Sequence, residues 1–247
     1  MFKKIKLSSF FLTTSKTTLV KASGMLAGII VSIVIGRLLG AEGLGIINLS
    51  NQLASTLLML VLLGLPTVIL KETAIAVSNK NWAHINNVIF TSLKINLPLA
   101  ALVILLSYLI IPFITEQFFE PSLEIPLIII TTAIIFQVVS RVFASGLNGY
   151  HKIWQSSLIG DTLSIVLVGF FILFQFILNW SITVISIALS YALARLFVSV
   201  GITLYWKKNY VLKEKSIKEF IPKALLRVSL PLLLVQVTNN IAGSIDS

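Results

Sequence analysis

Stretches of about 20 or more mostly apolar residues, each long enough to cross a bilayer, recur along the chain near residues 18–39, 46–70, 88–114, 125–147, 154–178 and 182–205. A seventh opens near Ala224 and runs to Ser247. Alternating polar and apolar tenmers, the mark of a membrane β-barrel, are absent from the sequence. The pattern predicts an all-α polytopic membrane protein. Its expected organisation is a six-helix N-terminal lobe over residues 1–205, a basic cytoplasmic linker over 206–223, and the truncated first span of a second lobe over 224–247.

Composition agrees with that class. The mean hydropathy is +0.99, and only 11% of residues are charged, against about 25% in soluble domains. The absence of cysteine excludes a disulfide framework and thiolate metal sites. The first residues carry Lys3, Lys4 and Lys6, but the apolar run behind them has no clear small-residue cleavage site, so it reads as a retained span.

The net charge of +10 changes the picture through its distribution. Seventeen of the 19 Lys and Arg fall in the N-terminal segment, in or beside the second and fourth loops, or around the sixth, with Arg141 and Lys152 assigned to the fourth. The intervening loops hold Glu42, Glu116, Glu120 and Glu124. This is the positive-inside pattern, which predicts a cytoplasmic N-terminus; a bacterial or archaeal cytoplasmic membrane is the expected location. Basic residues beside span ends suit anionic lipid headgroups rather than nucleic acid. Only Arg37 and Arg195 lie off the basic side.

The boundary at residues 206–223 has an echo. Leu19-Val20-Lys21-Ala22-Ser23 at the start of the first span compares with Leu225-Leu226-Arg227-Val228-Ser229 at the start of the seventh, as in parallel repeats. An end in mid-membrane suggests a truncated gene product whose C-terminal lobe is a missing partner.

Polar positions inside the spans come in one-face sets. Asn48, Gln52 and Ser55 share the spacing i, i+4, i+7 with Ser157, Asp161 and Ser164, while Gln236, Asn240 and Ser244 also share a face. Polar stripes are costly against lipid, so they face other helices or a hydrated interior; both readings stand. Asp161 lies roughly 10 Å and Arg195 roughly 16 Å from the basic end at 1.5 Å per residue. They are close enough for a structural ion pair, or Arg195 is a cavity cation for an anionic substrate with Asp161 orienting it or coupling an ion. Arg37 reads most simply as a snorkelling end residue. Gly24, Gly28, Ser32, Gly36 and Gly40 form a small-residue ladder on the first span, suited to close helix packing or to bending. Pro66 and Pro98 are candidate kinks.

Catalytic signals are missing. His84 and His151 lie in separate loops without ligand partners at metal spacing, and no phosphate-binding GxxxxGK[ST] motif occurs. No enzyme activity, cofactor or metal is expected.

The run Arg37-Leu38-Leu39-Gly40-Ala41-Glu42-Gly43-Leu44-Gly45 resembles the R-x-L-G-x-x-x-x-G turn that precedes span two in polysaccharide exporters. Leu63-Gly64-Leu65-Pro66, Gly146-Leu147-Asn148-Gly149-Tyr150-His151-Lys152 and Ser229-Leu230-Pro231 are similar to the corresponding family segments. Together they resemble the polysaccharide transporter branch of the multidrug/oligosaccharidyl-lipid/polysaccharide exporter superfamily, which includes the Wzx-type O-antigen flippases. The resemblance implies two six-helix lobes around a central cavity. Alternating access would carry a polyprenyl-pyrophosphate-linked oligosaccharide between leaflets, with H+ or Na+ as a possible coupling ion. Lys21, Arg37, Asn51, Gln52, Asp161 and Arg195 are the expected cavity residues, chosen from the polar faces. A cation-coupled multidrug or metabolite exporter and a non-transporting scaffold for envelope assembly are the alternatives.

Overall fold

The computed structural model describes residues 7–118, 121–210 and 222–245, and these are helical apart from short turns. Among the described residues nine α-helices follow one another: α1 (Leu7–Leu62), α2 (Leu65–Ser78), α3 (Trp82–Phe118), α4 (Glu124–Thr132), α5 (Ile134–Gly149), α6 (Ile153–Ser157), α7 (Leu163–Ile177), α8 (Val184–Tyr210) and α9 (Pro222–Ile245). A π-helical turn, Leu158–Thr162, joins α6 to α7. Four helical stretches are long and apolar enough to cross a membrane, and the bent α6–α7 pair makes a fifth. The chain is an all-α polytopic membrane protein.

The longest of those stretches is broken. A continuous helix of 56 residues would extend about 84 Å at 1.5 Å per residue, nearly three times the hydrocarbon thickness. Gly40, at φ +75° and ψ −177°, interrupts it. A Cβ built on Gly36 would lie 3.4 Å from Leu44 Cδ2, although residues eight apart in a straight helix are separated by about 12 Å. Gly40 therefore bends the chain sharply and divides α1 into segments 7–39 and 41–62, each of spanning length. The expected second span also ends early. Leu63 and Gly64 take consecutive left-handed conformations, and Pro66 then begins α2 without leaving a backbone donor unpaired. Pro98, by contrast, sits within α3, which remains one helix.

Among the described residues two large packed layers, with a small third cluster of Ile111, Leu123 and Leu127, form the core. One gathers Ile35 and Ile47 from both segments of α1 with Ile130, Ile134, Val168 and Ile187. The other joins Leu65 and Ile69 of α2 to Ile85, Leu147 and Trp206. In the second layer Tyr150 stacks on Trp82 and meets Trp206 and Tyr210. Burial raises the pKa of the Tyr150 phenol above its ordinary value. The starts of α3 and α6 and the end of α8 thus share one end of the bundle, beside Lys80, Lys152, Lys207 and Lys208. An aromatic and basic rim of this kind suits a membrane–water interface.

Two sequence boundaries change. Arg141, assigned to a loop, lies within α5. Residues 206–210, assigned to the linker, continue α8, and Trp206 is buried. Residues 211–221 of that linker, and the side chains of Gln236, Asn240 and Ser244, lie outside the described residues, while Pro222 and Lys223 open α9.

Candidate functional site

Arg195 occupies the centre of the helical assembly. It is 7% exposed and draws acceptors from three other helices. Its Nη1 donates to the Ile130 carbonyl at 3.2 Å, and its Nη2 donates to Asn51 Oδ1 at 2.7 Å. With its oxygen turned toward the guanidinium, the Gln137 carboxamide accepts from Nη2 at 2.9 Å and from Nε at 2.5 Å. The guanidinium also lies 5.9 Å from the Tyr191 ring centroid, within cation–π range.

Local structure explains why these acceptors are present. Asn51 donates its own Nδ2 to Ile47 O one turn back, at 2.9 Å, which leaves Oδ1 aimed at Arg195. Ile130 lies in the last turn of α4, where carbonyls lose their intrahelical partners. A cation at a helix C-terminus is stabilised by those carbonyls and by the helix dipole. The break between α4 and α5 at Ala133 therefore supplies an acceptor deep in the bundle for a residue that would otherwise be costly in a membrane.

Beside this tie lies a small cavity of about 40 Å³, lined by Gln137, Ser140, Arg141, Gly160, Ser164 and Arg195 together with Ile159 and Val198. That volume holds a few waters but no sugar. The π turn closes it: a Cβ on Gly160 would stand 3.4 Å from Arg141 Nη1. Thr162 Oγ1 donates to Val20 O at 3.1 Å, and a Cβ on Gly24 would come within 2.6 Å of that same hydroxyl oxygen. One rung of the small-residue ladder thus lets α1 approach the π turn. Gly28 faces open space and Gly40 carries the break, so the ladder is not one continuous packing seam.

The expected cavity residues separate into three groups. Asn51 and Arg195 are bonded to each other. Lys21, Arg37 and Gln52 are exposed on α1, with Arg37 bordering an apolar groove between α1 and α7. The backbone of Asp161 belongs to the π turn, but its side chain lies outside the described residues, as does the expected Asp161–Arg195 pair. Sequence reasoning missed Gln137 and Arg141. Gln137, Ser140 and Arg141 fall within five residues of a largely apolar helix, which was the available signal. It also missed the contact of His84 Nε2 with Glu72 Oε2 at 2.9 Å.

Exposed faces distinguish α1 from its neighbours. On α3 the exposed residues include Leu102, Leu105, Leu109 and Phe113; on α8 they include Ile185, Leu189, Leu193, Phe197, Val200 and Leu204. Each set recurs every three or four residues, as a lipid-facing stripe does. On the second segment of α1, Asn48, Gln52 and Ser55 are exposed beside Leu49, Leu53 and Leu60. These polar side chains lie at the depth of α3, because Leu53 of the same segment and Leu106 line one groove.

A family model described as polysaccharide biosynthesis protein matches residues 13–247. No curated protein and no solved structure gives a significant match.

Proposed function

This chain belongs to the polysaccharide biosynthesis protein family, and from that premise we propose that it is a helical lobe of a transporter for a lipid-linked saccharide. The observation that carries the reading is the exposed polar face of α1 at Asn48, Gln52 and Ser55. Uncovered polar groups are costly against hydrocarbon, so this face lines a hydrated passage between the lobe and a second, similar lobe that begins with α9. Hydroxyl and carboxamide groups suit the hydrogen-bonding capacity of sugars. Exposed Lys21 and Arg37 suit the phosphates that join sugar to lipid, while the lipid chain stays in the bilayer.

In this reading Arg195 has a positioning role. Its donors are engaged by Asn51, Ile130 and Gln137, and the cavity beside it is too small for a sugar. It fixes the polar face of α1 against α4, α5 and α8. The test is complementation, by this lobe together with its second lobe, of a flippase-deficient strain that makes a compatible repeat unit. Restored surface polysaccharide supports the proposal, while an inserted, abundant protein that restores none overturns it. Gln52→Leu should then reduce surface polysaccharide without reducing protein level.

A further inference from the structure

A further groove lies between α8 and the α6–π turn–α7 segment, with a volume of about 350 Å³. Its walls are mostly apolar, with Leu158, Leu163 and Gly201 among them, and Tyr205 stands toward the basic end of the bundle. From Val198, at the deep end of the groove, to Lys208 is ten residues, or about 15 Å along α8. That is half the hydrocarbon thickness, the reach of one lipid chain in one leaflet. Lys208 follows Tyr205 by three residues and continues the same helix stripe. Lys152 stands just before α6 and is likewise exposed. Two exposed cations therefore stand at the basic ends of the two elements that wall the groove. Just inside it, the Gln155 side-chain oxygen is buried and accepts no hydrogen bond among the described residues.

We propose that this groove is a binding site for an anionic phospholipid with a hydroxyl-bearing headgroup, of the phosphatidylglycerol kind. The phosphate sits between Lys152 and Lys208, a headgroup hydroxyl donates to Gln155, and one acyl chain follows the groove past Gly201. Charge complementarity selects the headgroup, and the length and apolar walls select the chain.

The test is native mass spectrometry of the full chain in detergent, titrated with phosphatidylglycerol or phosphatidylcholine of matched chains. The unmodified chain should retain phosphatidylglycerol in preference. With each lysine worth about 1 kcal/mol at an anionic headgroup, K152Q/K208Q should weaken phosphatidylglycerol binding by up to about 30-fold and leave phosphatidylcholine unchanged. K71Q/K80Q, a pair of exposed lysines outside the groove, should not weaken it. Gly201→Leu should also displace the lipid while preserving helical content, because a Cβ there meets no protein atom within 4 Å. Equal retention of both lipids, an equal loss in K71Q/K80Q, or full binding by G201L overturns the proposal. Displacement of phosphatidylglycerol by stoichiometric polyprenyl phosphate also overturns it, by assigning the groove to a carrier lipid.

Discussion

Replacing Asn51 by Leu removes the carboxamide that meets Arg195 Nη2 at 2.7 Å and leaves an apolar side chain of similar size. The guanidinium keeps the Ile130 carbonyl and Gln137, so the bundle should still assemble. A hydrogen bond to a charged group contributes about 1.5–3 kcal/mol. Hydrogen bonds between membrane helices average about 0.6 and reach about 1.7 kcal/mol. The ranges meet near 1.5 kcal/mol, which is the expected coupling between the two residues. Arg195→Met alone combines opposing effects. It orphans three acceptors but relieves the roughly 2.5–3.5 kcal/mol cost of holding a cation at mid-membrane. The single variants are therefore less informative than their cycle. In SDS-titrated unfolding from bicelles, followed by circular dichroism, N51L should cost about 1.5 kcal/mol in the parent chain. In R195M it should cost less than about 0.5 kcal/mol. Equal costs in the two backgrounds would refute the assignment of Arg195 as the tie between α1 and α8.

Three further outcomes follow from packing. Gly64 has φ +71°, and a Cβ there would lie 2.6 Å from Ser229 O and 2.9 Å from Leu233 N of α9. Gly64→Val should therefore cost at least about 1–2 kcal/mol from backbone strain alone and raise the protease sensitivity of α9. At Gly149 a Cβ would stand 2.5 Å from Thr73 Cβ and 2.9 Å from Leu70 O, so Gly149→Val should lower stability by about 1–3 kcal/mol in the same titration. Trp206 is 4% exposed and touches Phe143, Tyr150 and Tyr210, so Trp206→Ala should cost about 3–5 kcal/mol.

Hydrophobic runs and glycine placement were enough to read the helix positions from the sequence. Each long apolar run corresponds to helix, and the turn at Gly40 falls within the Arg37–Gly45 motif. The pairing of Asn51 with Arg195 was harder to read. Both residues are recognisable as polar groups at membrane depth, but 144 residues separate them in sequence, and periodicity within one helix does not say which helices meet. Asp161 drew attention as the nearest acidic partner by depth. The described acceptors of Arg195 are two carboxamides and a carbonyl freed by the break at Ala133. That carbonyl is invisible to sequence inspection because every residue has one. Arg141 was misassigned because an arginine near a span end satisfies the loop-charge rule equally well from inside the helix.

The chain contains no cysteine, so the hydrated face can be read one introduced thiol at a time. Cysteines at positions 48, 52 and 55 would be compared with cysteines at 105 and 109, on the apolar face of α3, for reaction with a charged thiol reagent in intact membranes. Only a thiolate in contact with water reacts at an appreciable rate. If α1 lines an aqueous passage, the three α1 positions should label at least about tenfold faster than the two on α3. Labelling as slow at 48, 52 and 55 as at 105 and 109 would show a dry face and contradict the account.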